Sequence, residues 1–303
     1  STQAKTLFPY TTLFRSDLAS LFIQILNSVQ FGLLLFLIAS GLTLVFGIMG
    51  IINLAHGSFY MIGAYIAFVL TSLTGNLFFA ILLGIPLALA LGVFLEWALF
   101  SHLYKRDHLE QVLLTYGLIL IFEEIRSILI GDDVHGVAIP SLLNFSIQLT
   151  EVLSYPFYRI AISIACIILA IGMFYLIQKT KLGMMIRAGS HDRTMVQALG
   201  ININMIYRVV FALGLALAAL AGMLASPISS VYPNMGSQVL IISFVVVVIG
   251  GIGSIWGALV AAMIIGFADT FGKVILPGLS GMVVYLIMAA VLLWRPEGIF
   301  KRA

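Results

Sequence analysis

Leu77-Phe-Phe-Ala-Ile-Leu-Leu-Gly-Ile-Pro-Leu-Ala-Leu-Ala-Leu-Gly-Val-Phe-Leu-Glu-Trp-Ala-Leu-Phe100 runs for 24 residues with a single charge, Glu96. An α-helix rises about 1.5 Å per residue, so this stretch is long enough to cross a hydrocarbon core of roughly 30 Å. Outward from it, comparable apolar runs fill the chain. They are Leu18 to Ile38, Ile51 to Leu70, Val112 to Ile130 and Ile160 to Ile177, then Val209 to Ala225, Val239 to Ile249, Ile255 to Phe271 and Met282 to Trp294. The 303 residues are 62% hydrophobic and 9% charged, with a mean hydropathy of +1.15. Soluble domains carry about 25% charged residues, so a soluble fold is excluded. Lipid offers backbone groups no partner, and each run must close its own hydrogen bonds as a helix; barrel strands would read as short alternating segments. The prediction is an all-α, polytopic transmembrane helix bundle of about eight to ten membrane segments, some of them glycine-broken or re-entrant.

The basic residues set orientation. Five of the fifteen lie between Lys179 and Arg208, two are Lys105 and Arg106, and three are Arg295, Lys301 and Arg302. The positive-inside rule makes these regions cytoplasmic. The connection from Ser127 to Tyr158 has no lysine or arginine but carries Asp132, Asp133 and Glu151, so it faces the other side. The side of the N-terminus depends on whether Gly41 to Tyr60 crosses or re-enters. The net charge of +3 follows from these clustered loops and implies no nucleic acid partner. Residues 1–17 fit poorly with the rest and read as a translated assembly scar, which leaves 18–303 as the membrane domain. Cys166, the sole cysteine, sits in an apolar run and excludes an intrachain disulfide.

Two glycine-rich stretches interrupt the apolar runs, Gly41 to Gly57 and Gly250 to Gly257. Non-helical backbone at membrane depth is tolerated only beside protein or a water-filled cavity, and transporters place substrate near such breaks. Asn53, His56, Gly57, Gly250, Gly251 and Gly253 are therefore candidate translocation-path residues. If their segment is helical, Asn53 and His56 share one face; a lone membrane histidine more often bonds neighbouring helices than holds a ligand. No partner at metal-ligand spacing accompanies it, so no metal site is expected. The similarity of the two breaks hints at an internal repeat. Gly214, Ala218 and Gly222, and again Gly253 and Gly257, stand at the spacing that lets helices approach closely. Glu123 and Arg126 can pair, as can Asp269 and Lys273, and Glu96 is expected to reach the cytoplasmic interface. No regular file of carboxylates suggests a proton relay.

Between Lys179 and Asn202 the chain offers a helix start at Ser190 or Asp192 and a stop at Gly200. A short amphipathic helix on the cytoplasmic side suits docking to a soluble partner, or else rests on anionic lipid. No Gly-x-x-x-x-Gly-Lys-Ser/Thr loop occurs; Gly272-Lys273 is followed by Val274. If ATP drives this protein, another chain hydrolyses it. No serine elbow or zinc helix is present, so no enzyme is expected.

The core of Gly41 to Ala64, Gly-Ile-Met-Gly-Ile-Ile-Asn-Leu-Ala-His-Gly-Ser-Phe-Tyr-Met-Ile-Gly-Ala, closely resembles branched-chain amino acid ABC importer permeases of the LivH type. So do Arg187 to Asn202, Val-Ile-Gly-Gly-Ile-Gly-Ser-Ile-Trp-Gly-Ala258 and Arg295-Pro-Glu-Gly-Ile299. The resemblance spans roughly Leu26 to Phe300. It implies a multi-pass subunit of a bacterial inner membrane, working by alternating access. Its partners would be a second permease subunit, usually a paralogue, two cytoplasmic ATPase subunits and a periplasmic solute-binding protein. The chain itself would bind no cofactor, ATP being used by the partners. Carried over by position, Arg187, Ala188, Gly189, Asp192, Ala198, Gly200 and Asn202 would belong to the ATPase coupling loop. Leucine, isoleucine and valine are the substrates implied first. Urea or a short-chain amide is the alternative, and an ATP-independent channel or ion-coupled carrier stands further off.

Overall fold

A computed structural model of the chain describes residues 9–104, 106–149 and 153–300. The apolar runs become α1 (Pro9–Met49), α2 (His56–Thr74), α3 (Leu77–Ala98), α4 (His108–Ile130) and α5 (Phe157–Lys179). They continue as α8 (Ile203–Ser229), α9 (Met235–Gly250), α10 (Ile255–Ile275) and α11 (Ser280–Trp294), while α6 (Lys181–His191) and α7 (Arg193–Ala198) fill the basic loop. Among the described residues six helices are long and apolar enough to cross a membrane; α9 and most of α11 are apolar but shorter. α4 carries Glu123, Glu124 and Arg126 among its apolar residues. A short hairpin, β1 (Ser146–Gln148) with β2 (Ser154–Pro156), caps the long acidic connection. Residues 1–8 of the N-terminal segment, Lys105, Glu151, Lys301 and Arg302 lie outside the described residues.

The opening stretch illustrates why these runs bundle. In α3, Ala80, Gly84, Ala88 and Gly92 are buried at four-residue spacing, and a Cβ on Gly92 would come within 2.7 Å of the Ala212 backbone in α8. Leu82, Leu83, Leu87, Phe94 and Trp97 point outward, as a lipid-facing stripe must. Lipid tails give apolar side chains little reason to leave them, so close backbone approach along the small-residue stripe supplies the association.

α1 stays helical through Gly41 and Gly47, so the first interruption is confined to Gly50–Ala55. Those two glycines serve contact, not bending: Gly41 lies against Gly214 of α8 and Gly47 against Gly253. The expected small-residue face on α8 is present, with Gly214 and Gly222 packed on α1 and α2. Gly253 and Gly257 do not share a helix face, because Gly253 lies in the turn before α10.

Contacts fix the direction of each element. Asn27 near the middle of α1 meets Tyr155 and Arg159 at the acidic end, whereas the Ile48 carbonyl near its finish meets Arg193 at the basic end. α1 therefore runs from the acidic to the basic end, the end that the positive-inside rule makes cytoplasmic. α2 begins at mid-depth, because the His56 ring reaches the Ile38 carbonyl about three turns before α1 ends. It rises to the outer end, where Phe68 stacks on His135 of the acidic connection, and α3 returns. The second half mirrors this. α8 climbs from the basic end, the chain drops back over Ser230–Asn234, and α9 starts at mid-depth beside α2 before descending to the basic end and handing over to α10.

Candidate functional site

At the centre of the bundle the first turns of α2 and α9 abut. A Cβ on Gly57 would run into the Gly236 carbonyl, and one on Gly236 would come within 2.7 Å of the Gly57 carbonyl. Glycine is required at both positions for this approach. Both helices present their N-terminal, partially positive ends here. Asn53 and His56 are completely buried. They do not stack on a helix face: Asn53 precedes α2, and its Oδ1 accepts the Ala55 N–H at 3.1 Å, closing the turn that starts the helix. His56 is the first residue of α2 and uses Nε2 toward the Ile38 carbonyl at 2.9 Å. That bond makes Nε2 the donor and leaves Nδ1 as an acceptor without a protein partner; Asn53 Nδ2 and Thr43 Oγ1 nearby in sequence are also unmatched.

Beside this plug a cavity of about 330 Å³ opens from the outer end. Its inner wall is mostly apolar, formed by Leu34, Leu35, Ile38, Val239 and Ile242 with Tyr60 and Ser229, and its mouth carries Gln30, Arg159, Asp269 and Lys273. A second cavity of about 500 Å³ lies at the basic end on the other side of α1, between Thr43, Gly47, Phe174, Arg187, His191 and Trp256. Gly250, Gly251 and Gly253 belong to this cytoplasmic end and not to the plug. Gly251, with φ of +94°, packs under Phe300, and the Ile299 and Phe300 N–H groups donate to the Ile249 and Gly250 carbonyls at 2.8 and 3.3 Å. The two groups of sequence-chosen residues thus sit at different depths.

The basic loop folds as two helices where one was expected. Thr180 caps α6, Asp192 caps α7 by accepting the Met195 N–H at 3.0 Å, and Gly200 ends the unit in the left-handed region at φ +79°. Ser190 is not a start; it lies in the last turn of α6, its hydroxyl bonded to the Arg187 carbonyl. Arg187 anchors the loop to α5 through the Ile177 carbonyl, Gly189 packs on Ile203, and Ala188 offers its carbonyl to the Asp192 N–H at 3.0 Å. Ala198 closes α7, and Asn202 caps α8 with bonds to the Asn204 and Met205 N–H groups.

Arg193 was not singled out from the sequence. Its Nη2 donates to the Ile48 carbonyl at 3.1 Å, just ahead of the α1–α2 break, and its guanidinium lies over the Tyr207 ring. Its position just inside a capped helix was the only available signal. Glu96 departs from expectation: instead of reaching the interface it is fully buried, bound by Arg208 at 2.8 Å and by the Tyr104 hydroxyl. Burial first, then the adjacent Glu96 carboxylate, pushes the Tyr104 phenol well above its ordinary range, so it remains a donor. The pairs Glu123–Arg126 and Asp269–Lys273 form at 3.1 and 2.6 Å. Arg126 also holds Asp132, lowering that carboxyl below its usual range.

Residues 24–292 match the family described as branched-chain amino acid transport system / permease component. The chain is 32% identical to the high-affinity branched-chain amino acid transport system permease protein BraD of Pseudomonas aeruginosa, over 92% of this chain and 95% of that protein. It is 30% identical to LivH of Escherichia coli K12 over the same shares, and 27% identical to a probable branched-chain amino acid transport permease protein LivH of Methanocaldococcus jannaschii over 90% of each. No solved structure matches the chain. With its membrane bundle, two helices that begin at mid-depth and this match along nearly the whole length, the chain belongs to the branched-chain amino acid transport system permease family.

Proposed function

We propose that this chain is the permease subunit of an ATP-driven importer of branched-chain amino acids in a bacterial inner membrane. It would work with a second permease, two ATPase subunits and a solute-binding protein. The observation that carries the reading is the plug: Gly57 meets Gly236 and His56 meets Ile38 at mid-depth, with one cavity reaching the outer end and another at the basic end. A bundle closed at its centre, with a cavity toward each end, suits an alternating-access cycle. Two such states differ in which cavity communicates with the centre, and a nucleotide on the partners can shift them only through differential affinity.

The cytoplasmic side supplies the lever. α6 and α7 are tied to α5 through Arg187 and to the end of α1 through Arg193, so a push on this unit reaches the residues that start the plug. Asn53, His56 and Gly57 would form the central gate, and Gly250, Gly251 and Gly253 the cytoplasmic pivot.

The test is uptake of radiolabelled leucine by proteoliposomes holding the chain with its cognate partner permease, ATPases and binding protein. Accumulation that needs hydrolysable ATP is expected. Accumulation of urea in place of leucine would overturn the substrate, and leakage without ATP would overturn the importer.

A further inference from the structure

We infer that the outer cavity is itself an amino-acid site, built within this one chain, that receives the substrate before the plug opens. The inference rests on the importer reading and names what that reading leaves open, where and how this chain holds its cargo. The cavity is divided by chemistry. Its inner half is mostly hydrocarbon from Leu34, Leu35, Ile38, Val239 and Ile242, with Tyr60 and Ser229 also in its wall, while both signs of charge stand at its mouth.

Arg159 is half-buried there, donates to Asn27 Oδ1 at 3.1 Å and Gln30 Oε1 at 3.4 Å and lies beside the Tyr155 hydroxyl; among the described residues it pairs with no carboxylate. A guanidinium oriented by two amides and lacking a counter-charge is set up for a bidentate carboxylate. Asp269, with a side chain 14% exposed, gives Oδ2 to Lys273 at 2.6 Å. A carboxylate has lone pairs for further donors on both oxygens, so it can accept an ammonium as well.

A zwitterion with a branched hydrocarbon side chain matches this division. Its carboxylate would lie on Arg159, its ammonium on Asp269, and its side chain on the mostly apolar inner wall of a cavity whose volume is at the small end of the usual range for small-molecule pockets. A sugar would meet mostly hydrocarbon there and leave most of its hydroxyls unpaired. An acyl chain would gain nothing from the paired charges at the entrance.

The experiment uses the assembled complex in nanodiscs without binding protein. Ile242→Cys is introduced on a Cys166→Ser background, and the rate of its reaction with a small methanethiosulfonate reagent is followed. Leucine at ten times its dissociation constant is expected to slow the reaction about tenfold, D-ribose to leave it unchanged, and Arg159→Gln to remove the leucine effect. Direct binding of radiolabelled leucine to the complex, lost in Arg159→Gln, gives the same answer without the cysteine should that variant fail to assemble. If the complex accumulates leucine with ATP but leucine neither protects the cysteine nor binds, the cavity is not the site and the importer reading stands. A cysteine that never reacts in a transporting complex means that lipid or the partner permease fills the cavity, which also overturns it. Protection by urea with urea uptake would sink the amino-acid assignment and the importer's substrate together.

Discussion

At the residue scale, charge inside the bundle is explained by partners that sequence spacing hides. Glu96 is the sharpest case, since its position near the end of an apolar run suggests a side chain reaching for water. Arg208, 112 positions later, and Tyr104 hold it inside. The short-range pairs Glu123–Arg126 and Asp269–Lys273 were legible because i,i+3 and i,i+4 neighbours share a helix face. A pair between α3 and α8 becomes legible only once the helices are packed. Replacing Glu96 by alanine leaves Arg208 without its counter-ion and the Tyr104 hydroxyl without its acceptor. Breaking a buried pair costs about 3–5 kcal/mol; with Arg208 39% exposed, solvent makes up part of this, and we expect about 1–3 kcal/mol. The measurement is thermal unfolding of the purified permease. Glu96→Gln, which keeps an acceptor for Tyr104, should lose less than Glu96→Ala, and equal melting of all three proteins would show that the pair does not stabilise the fold.

At the element scale, the sequence located the cytoplasmic unit and its capping residues but not its division or its grip on the bundle. Asp192 and Gly200 were readable because an N-cap carboxylate and a left-handed glycine are local requirements. The turn into α6 was not, as Thr180 stands between two lysines in a stretch that also reads as the tail of α5. The first interruption was displaced for a related reason. Gly41 and Gly47 look like helix breakers in sequence, yet in α1 they serve close packing on Gly214 and Gly253, and the helix ends only at Gly50, with φ of +69°. If α7 acts on the gate through Arg193, then Arg193→Gln should hydrolyse ATP at near the wild-type rate while leucine uptake falls about tenfold, the loss of one charge-assisted hydrogen bond of roughly 1.4 kcal/mol. The quantity to measure is the ratio of leucine carried to ATP consumed. A fall of both in proportion would instead mean that the side chain merely secures the assembly.

At the scale of the whole molecule, α1–α2–α3 and α8–α9–α10 run in opposite senses, each with one helix that begins at mid-depth. Transporters built this way place the half-helix N-termini of their two repeats at the bundle centre. The sequence suggested a repeat but paired Gly41–Gly57 with Gly250–Gly257; in the fold the counterpart of Gly50–Ala55 is Ser230–Asn234, whose polar residues resemble an ordinary loop between crossings. Because Gly57 and Gly236 wedge the same contact from opposite sides, an alanine at either should separate α2 from α9, and the second alanine should add less than the first. We expect Gly57→Ala and Gly236→Ala each to lose most leucine uptake and to melt earlier, with the double variant close to the worse single one. Gly117→Ala is the control, since a Cβ there meets nothing within 4 Å in α4. Full additivity would mean that the two glycines serve separate contacts. Retained uptake in both single variants would mean that the centre of the bundle tolerates separation, and the closure of the outer cavity would then have to lie with His56 and Ile38 alone.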